Sequence, residues 1–419
     1  MALFTPPGFT MSDILAGLFE RRQDVKARLA KLSLPELIEG LMSCVSETQQ
    51  TSFARAILLR YHHGDDALHR AFFDYLLDEM DLDAAALHEA SAAYEEDPTP
   101  AAYRRVLGAA EPRRKELFRR LGSAKGGAAC LVKIRDDIRR ARAARLDLAK
   151  LDHDLHALLG HWFNRGFLEL RPVTWDSPAQ VLEKIIDYEA VHTIQDWDDL
   201  RRRVQPHDRR CYAFFHPRMP DDPIIFVEVA LTQAVPDSVD TLLAQDRRPA
   251  DVESLTTATF YSISNCHAGL AGISFGNVLI KKVVRELSRE LPQLKTFVTL
   301  SPIPSLAAWA REDGTEESPD RLAARYLATV KREDGLPQDP VARFHLANGA
   351  ALHAVHADAN TSARGQAESF GAMVNYLYEP SEVNRRSEAF AMAGRIDLGP
   401  KLRALLPRER GRRLSSERA

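Results

Sequence analysis

The segment that most constrains the fold of this chain spans residues 257–304 and reads TATFYSISNCHAGLAGISFGNVLIKKVVRELSRELPQLKTFVTLSPIP. An apolar run at 258–263 predicts a buried strand, and a second run at 296–300 predicts another. Between them, residues 277–292 have the apolar spacing of an amphipathic helix. Such a strand–helix–strand unit makes a right-handed crossover between two near-parallel strands. The sequence therefore predicts an α/β sheet with the carboxyl ends of both strands at one edge.

Three glycines precede this helix, at Gly269, Gly272 and Gly276. Glycine lets backbone N–H groups approach an anion closely, and the helix dipole favours negative charge at the helix N-terminus. The pattern predicts a phosphate or pyrophosphate cradle at about 271–277. The spacing matches neither the dinucleotide-binding GxGxxG nor the Walker A motif. A second interpretation, in which the glycines only form a turn and pack the helix against the strand, stays open.

The second strand is followed directly by Ser301, and Pro302 and Pro304 come soon after it. Proline cannot donate a hydrogen bond to a sheet, so the strand is expected to stop here. Ser301 then lies at the carboxyl end of a strand, where open α/β sheets bind ligands. It is either a candidate site residue or a turn or helix-capping hydroxyl.

Composition narrows the class of protein. A chain of 419 residues with 45% hydrophobic residues can bury a large core, and a formal net charge of -3 gives no general attraction to nucleic acid or membranes. Four scattered cysteines fit a reducing compartment better than a disulfide framework. The N-terminus has no targeting pattern, and no apolar run approaches the roughly 20 residues that span a bilayer. We expect a cytoplasmic protein without nucleic-acid or membrane partners.

The pattern along the chain changes near residue 160. Residues 1–160 show helical spacing almost throughout, with Ser33 and Glu36 placed as a capping box, and they predict a helical domain. Residues 161–401 predict an α/β or α+β domain, and 402–419 form a basic tail that is expected to fray. Helices are predicted at 66–80, 83–95, 99–120, 128–160, 277–292 and 319–332. Strands are predicted at 211–215, 224–231, 258–263, 297–300, 351–356 and 373–378.

Several sequence blocks together resemble the malonyl-CoA decarboxylase family. The longest is FYSISNCHAGLAGISFGNVLIKKVVRELSRELPQLKTFVTLSPIP, within the crossover unit. The others are GFLELRPVTWDSPAQVLEKIIDYEAVH (166–192), RRCYAFFHP (209–217), FVEVALT (226–232), DPVARFHLANGA (339–350) and MVNYLY (373–378). The resemblance covers most of 160–380, and the helical first part suits the N-terminal domain of the family.

The resemblance implies an N-terminal helical oligomerisation domain, forming homodimers or homotetramers, and a catalytic domain with the GNAT acyltransferase fold. It implies decarboxylation of malonyl-CoA to acetyl-CoA and CO2 in fatty acid metabolism or malonate catabolism, with no metal and no cofactor beyond the coenzyme A of the substrate. The catalytic residues carried over are Ser301 and His345, with Tyr378 as a further contributor. The loop that binds the CoA pyrophosphate comprises Ala271, Gly272, Ile273, Ser274, Phe275, Gly276 and Asn277.

The chemistry suggests roles for these residues. Loss of CO2 leaves negative charge on the thioester, so the site needs oxyanion donors and an acid that protonates carbon. We expect Ser301 to orient the substrate, and His345 to orient Ser301 and act as general acid. The loop departs from the general acyltransferase pattern at Ala271 and Ser274. The alternatives are an acyl-CoA-dependent N- or O-acyltransferase on the same fold, and a CoA-binding scaffold without activity.

Overall fold

The computed structural model describes residues 25–273 and 278–407, apart from the side chains of Arg165 and Val278. The described residues fall into two compact units, one made of 25–164 with 267–273 and one made of 165–266 with 278–407. The first unit is helical and the second contains a mixed sheet with helices. The predicted fold class, a helical part followed by an α/β part, is confirmed.

The helical unit begins as the sequence predicts. In α1 the Ser33 hydroxyl accepts a hydrogen bond from the Glu36 amide, and the Glu36 carboxylate accepts one from the Ser33 amide, which confirms the capping box. Residues 25–30 are helical as well. The helices that follow in this unit are α1 (Leu34–Ser43), α2 (Glu47–His62), α3 (Asp66–Asp78), α4 (Ala84–Glu96), α5 (Pro100–Ala109), α6 (Arg113–Ser123), α7 (Gly127–Ala141) and α8 (Ala149–Trp162).

Two of the predicted long helices are each a pair of shorter ones. The prediction for 99–120 is wrong at Pro112, which caps α6 after α5 has ended. The prediction for 128–160 is wrong between α7 and α8, where Leu146–Leu148 form a short 3-10 turn. A proline disfavours the helical conformation at the residue before it, which accounts for the first break.

The second unit is built on one sheet. Its strands are β1 (Glu169–Val173), β2 (Arg209–Phe215), β3 (Ile225–Thr232), β4 (Thr257–Asn265), β5 (Thr296–Thr299), β6 (Ser301–Pro302), β7 (Ala351–His356) and β8 (Met373–Tyr378). The strand order is β1-β2-β3-β4-β5-β8-β6, and β7 pairs with β8. β4 and β5 are parallel, and the other pairs are antiparallel.

Helices complete the second unit. They are α9 (Ala179–Tyr188), α10 (Trp197–Val204), α11 (Val239–Leu243), α12 (Val278–Glu290), α13 (Leu306–Asp313), α14 (Pro319–Thr329), α15 (Pro340–Ala347), α16 (Ala363–Ser369), α17 (Val383–Ala393) and α18 (Pro400–Leu405). Leu402 of α18 is buried, so the predicted frayed tail begins too early in the sequence. Residues 408–419 of that tail lie outside the described part of the chain.

The predicted crossover is present, and the sheet opens next to it. α12 connects the parallel strands β4 and β5, whose register pairs Phe260 with Thr299 at its end. The amide of Leu300 still donates to the carbonyl of Phe260 (2.9 Å), but β4 continues to Asn265 while the other chain turns to pair with β8. The two parallel strands therefore part at their carboxyl ends, and Ser301 is the first residue beyond the point of divergence.

A network of buried polar and charged side chains lies beside the carboxyl-terminal half of β4. Glu228 of β3 is fully buried and its Oε2 atom lies 3.3 Å from Nη1 of Arg203. Arg203 also forms an ion pair with Asp199. The nearby carboxylate of Glu189 accepts hydrogen bonds from the Ser262 hydroxyl and other donors. Burial, followed by the charge of Glu189, raises the pKa of Glu228 to about 8 despite the opposing effect of Arg203. Glu228 therefore carries a proton at neutral pH.

Candidate active site

Ser301 is a buried strand residue and not a helix cap. In β6 it pairs with Val374 of β8, and the next helix, α13, takes Ser305 as its N-cap. Its hydroxyl donates to Oγ1 of Thr299 (2.9 Å) and lies 3.2 Å from Nε2 of His345. The structure thus excludes the turn or capping role that the sequence left open for this serine.

His345 reaches Ser301 from α15. Asp339 caps this helix by accepting from the amide of Ala342 (2.8 Å), and Pro340 occupies the first turn, where its missing N–H has no consequence. The imidazole is only 3% exposed. Burial lowers its pKa to about 3, because the charged form is desolvated, so the resting imidazole is neutral.

Tyr378 completes a chain of three side chains. Its hydroxyl lies 2.8 Å from Nδ1 of His345, and β8 brings it there by pairing Tyr378 with Phe297 of β5. Burial raises the pKa of Tyr378 well above its ordinary value, so it is a neutral phenol. The sequence prediction placed Ser301, His345 and Tyr378 in one site, and the structure brings all three together.

One arrangement of hydrogens satisfies the whole chain. If the Ser301 hydroxyl donates to Thr299, then Nε2–H of His345 donates to Ser301, and Nδ1 accepts from the Tyr378 hydroxyl. A neutral imidazole has one donor and one acceptor nitrogen, which this arrangement uses in full. The chain can pass a proton from the phenol through the imidazole to the serine, or in the reverse direction.

Two residues that the sequence analysis missed hold this chain in place. Thr299 Oγ1 also accepts from the amide of Tyr376 (3.2 Å), and the Tyr376 ring stacks on the His345 ring with centroids 4.4 Å apart at 22°. The available signal was the NYLY sequence of β8, where alternation places Tyr376 and Tyr378 on the same face.

Asn375 points to the other face of β8 and fixes the backbone of Thr299. Its Nδ2 atom donates to the Thr299 carbonyl (2.8 Å), and its Oδ1 atom is bonded to Nε2 of His356. No sequence pattern singled out Asn375, because its role depends on a strand pairing between distant segments.

Of the predicted anion cradle, only the first part is described. Ala271, Gly272 and Ile273 belong to the described residues, whereas Ser274, Phe275, Gly276 and Asn277 lie outside them. Gly272 has φ +80°, a left-handed conformation that side chains rarely adopt.

The segment before the cradle packs inside the helical unit. A Cβ atom on Gly269 would lie 1.9 Å from the carbonyl oxygen of Val132, so only glycine fits. The carbonyl of Gly269 accepts a hydrogen bond from Nη1 of the buried Arg135 (2.7 Å), whose Nε donates to Asp152 (2.8 Å). At Gly269 the glycine is therefore required for close packing, in line with the second interpretation of these glycines.

Other site types are not found in the described ranges. Among residues 25–273 and 278–407, no three His, Cys, Asp or Glu side chains are grouped as metal ligands. Within the same ranges, no helix combines the length and apolar character needed to cross a membrane.

Comparison with protein families gives two matches. The model of the malonyl-CoA decarboxylase C-terminal domain matches residues 166–322 and 313–416, and that of the malonyl-CoA decarboxylase N-terminal domain matches 81–163. Among curated proteins, mitochondrial malonyl-CoA decarboxylase of Anser anser anser is 37% identical over 336 residues, covering 67% of this chain and 66% of its own length. The enzyme of the same name from Rattus norvegicus is 33% identical over 360 residues, covering 72% and 73%.

Solved structures give similar results. Malonyl-CoA decarboxylase from Rhodopseudomonas palustris matches with a TM-score of 0.84 at 44% identity, over 88% of this chain and 98% of that one. Malonyl-CoA decarboxylase from Agrobacterium vitis matches with a TM-score of 0.82 at 43% identity, over 89% and 99%. These matches extend across both compact units.

Proposed function

The chain belongs to the malonyl-CoA decarboxylase family, and we propose that it is a carboxy-lyase that converts malonyl-CoA to acetyl-CoA and CO2. The observation that carries this proposal is the buried chain Ser301–His345–Tyr378 at the point where β4 and β5 part. It combines a hydrogen-bond donor with a proton carrier at the carboxyl ends of two parallel strands, the edge at which open α/β sheets bind ligands.

The reaction breaks one C–C bond and consumes one proton. When the malonyl carboxylate leaves as CO2, the electron pair of the broken bond moves onto the thioester and forms an enolate. The α-carbon then takes a proton, so malonyl-CoA and H⁺ give acetyl-CoA and CO2. The thioester is the electron sink, and for this reason we propose that no metal or redox cofactor takes part.

Ser301 orients the substrate in this proposal. Its hydroxyl turns from Thr299 to the malonyl carboxylate or thioester carbonyl, within reach of Nε2 of His345. A donor aimed at a developing oxyanion contributes about 3–4 kcal/mol to transition-state stabilisation, and water exclusion strengthens it. The serine needs no covalent bond to the substrate, because loss of CO2 requires no acyl-enzyme.

His345 delivers the proton. In the resting protein the imidazole is neutral, since burial holds its pKa at about 3. The malonyl carboxylate brings a negative charge into the site, which favours the imidazolium form, so we propose that His345 takes up a proton when the substrate binds. Nδ1–H then donates to the Tyr378 hydroxyl. After CO2 has left, the proton on Nε2 passes to the α-carbon.

The coenzyme A portion of the substrate is assigned to the loop before α12. We propose that residues Ala271 to Asn277 hold its pyrophosphate, as the resemblance implies. The support is the place of this loop in the sequence, after β4 and directly before a helix of 13 residues.

Assembly and location belong to the same proposal. We propose homodimers or homotetramers formed through the helical unit, where Tyr94, Tyr103 and Leu107 expose large apolar side chains on α4 and α5. Light scattering of wild type and of Leu107→Glu tests this, because a charge buried in the interface should dissociate the oligomer and lower its measured mass.

We also propose a cytoplasmic location, in keeping with four unpaired cysteines.

The test of the activity is release of CO2 without an acceptor. Malonyl-CoA labelled in its free carboxyl group is mixed with the purified chain in the absence of amines and alcohols, and labelled CO2 and acetyl-CoA are measured. Equal amounts of both products support the proposal. Formation of an acylated product only when an amine or alcohol is added would favour an acyltransferase instead.

A further inference from the structure

The turn that follows β4 is bound by one buried guanidinium of the helical unit. This group belongs to Arg135 of α7, which is 2% exposed. Its Nε donates to Oδ1 of Asp152 (2.8 Å), its Nη1 donates to the carbonyl of Gly269 (2.7 Å), and its Nη2 lies 3.0 Å from Nδ1 of His156. Asp152 and His156 both belong to α8. Arg135 therefore joins two helices to the turn.

The contact with His156 fixes the orientation of its ring. An arginine side chain can only donate hydrogen bonds, so Nδ1 of His156 accepts. The Cε1 atom of this ring lies 3.4 Å from the position that a Cβ atom would occupy on Gly272. Gly272 has φ +80° and carries no such atom, so the imidazole lies directly against its backbone. Arg135 thus acts on the turn twice, directly at Gly269 and through His156 at Gly272.

The segment 267–273 is a series of short hydrogen-bonded turns, so both contacts act on one body. The amide of Ala271 donates to the carbonyl of Ala268, and the amide of Ile273 donates to the carbonyl of Leu270, both at 3.0 Å. Because each turn is closed by its own hydrogen bond, a displacement at the start of the segment also moves its end.

Gly272 presents a backbone donor that these turns do not use. Among the described residues its amide has no hydrogen-bond acceptor, and the residue itself is exposed. An amide on a residue without a side chain can approach a phosphate oxygen closely. Gly272 is also one of the residues to which we assign the pyrophosphate of coenzyme A. The contacts of Arg135 therefore concern a part of the coenzyme site.

We propose that Arg135 is a positioning residue for coenzyme A. By binding the Gly269 carbonyl and the His156 ring, it fixes the turn in the conformation that offers the Gly272 amide to the pyrophosphate. Because the turn is ordered before the coenzyme arrives, binding costs less conformational entropy, which lowers KM and leaves the chemistry at the thioester unchanged. This inference rests on the proposed function, because it concerns the substrate assigned there.

Arg135→Lys is the main test. Lysine keeps the charge opposite Asp152 but has a single nitrogen, so it does not bind the carboxylate, the carbonyl and the ring together. KM for malonyl-CoA and the dissociation constant of acetyl-CoA should each rise about tenfold, the effect of losing one hydrogen bond to a charged group. At saturation kcat should equal the wild-type value. Malonyl-pantetheine, which lacks the pyrophosphate, should be decarboxylated with the same kcat/KM as by wild type.

Arg114→Lys is the matched control. Arg114 is also buried in the helical unit, at 4% exposure, and its Nε donates to Asp154 of α8 (2.7 Å). Its other ion pair is with Asp81, and neither partner belongs to the turn at 267–273. Urea unfolding should show a similar loss of stability in the two lysine variants, whereas KM for malonyl-CoA should stay at the wild-type value in Arg114→Lys.

His156→Leu tests the second contact and leaves the buried ion pair of Arg135 with Asp152 in place. The His156 side chain is partly exposed, so its replacement is compatible with folding. Loss of the acceptor for Nη2 should raise KM for malonyl-CoA about fivefold, with kcat and the use of malonyl-pantetheine unchanged. This variant supplies the answer if Arg135→Lys does not fold.

Three results would overturn the inference. They are an unchanged KM for malonyl-CoA in His156→Leu or in folded Arg135→Lys, an equal loss with malonyl-CoA and malonyl-pantetheine, and the same rise of KM in Arg114→Lys. Failure of the proposed function would appear differently, as wild-type protein that releases no CO2 from malonyl-CoA. Calorimetry of acetyl-CoA binding would then still measure the effect of each variant on the coenzyme site.

Discussion

Nε2 of His345 lies 3.2 Å from Oγ of Ser301, although 44 residues separate them in the chain. The contact depends on β8, which pairs with β5 and β6 on one side of the site and with β7, the strand that follows the helix of His345. It joins the hydroxyl that we assign to substrate orientation to the imidazole that we assign to proton delivery.

Tyr378→Phe should lower kcat about tenfold with little change in the binding of CoA esters. The change removes the hydroxyl bonded to Nδ1 of His345 and leaves that nitrogen without a partner in a buried site. Steady-state kinetics and calorimetric binding of acetyl-CoA measure the two effects. Tyr212→Phe, whose hydroxyl contacts Glu290, is the matched control and should retain full activity. Unchanged kcat in Tyr378→Phe would remove Tyr378 from the site.

Thr299→Val should destabilise the protein by about 1–3 kcal/mol and reduce activity. The hydroxyl of Thr299 accepts from both Ser301 and the Tyr376 amide, and valine leaves the buried amide unpaired. Thr259→Val is the matched comparison, because the Thr259 hydroxyl is buried with no partner among the described residues. Urea unfolding should show that this second variant is as stable as wild type or more so. Equal losses in both variants would contradict the assigned hydrogen bonds.

Acid should destabilise the folded protein through His345. Its pKa of about 3 when folded lies below the ordinary value of about 6.5 expected when unfolded, so between these values the unfolded chain binds the proton and the folded one does not. The contribution of this residue falls by about 2 kcal/mol between pH 7 and pH 5. His345→Gln should therefore lose less stability than wild type over that interval. The exposed His88→Gln serves as control, and identical pH slopes in wild type and His345→Gln would refute the neutral buried imidazole.

Alkaline conditions should act through Glu228 in the opposite direction. Its folded pKa of about 8 exceeds the unfolded value of about 4.3, so the folded state keeps a proton that the unfolded state has released. Stability from this group is present below the unfolded pKa and is lost as the pH rises toward 8, by about 1.4 kcal/mol per pH unit. In Glu228→Gln the free energy of unfolding should vary less between pH 5 and pH 8. The half-exposed Glu290→Gln is the control; a slope as steep as wild type in Glu228→Gln would place the proton elsewhere.

Local sequence patterns were sufficient for much of the fold. The apolar runs of β4 and β8 predicted both strands within two residues, because strand burial leaves a direct signal in the sequence. β6 was not predicted, since its two residues pair only after β8 has been placed by a distant turn. The break before α8 likewise has no proline or glycine to mark it.

The candidate site, too, could be predicted only in part from local sequence patterns. Ser301 was suggested by its position at a strand end, whereas His345 and Tyr378 came from the family resemblance alone. Thr299 carried no recognisable signal, because its importance follows from contacts with Tyr376 and Asn375, which lie far away in the chain. Such contacts are determined by tertiary packing, which local periodicity does not report.

The most direct test of the account compares acetyl-CoA formation from malonyl-CoA by wild type, Ser301→Ala and His345→Gln. Ser288→Ala, which removes a hydroxyl bonded only to its own helix, is the matched control. We predict robust turnover by wild type and Ser288→Ala, a loss of about 10² to 10³ in kcat for Ser301→Ala and of 10² to 10⁴ for His345→Gln, with binding of acetyl-CoA retained in both. If either variant formed acetyl-CoA at the wild-type rate, the central claim that these two residues carry the reaction would be contradicted.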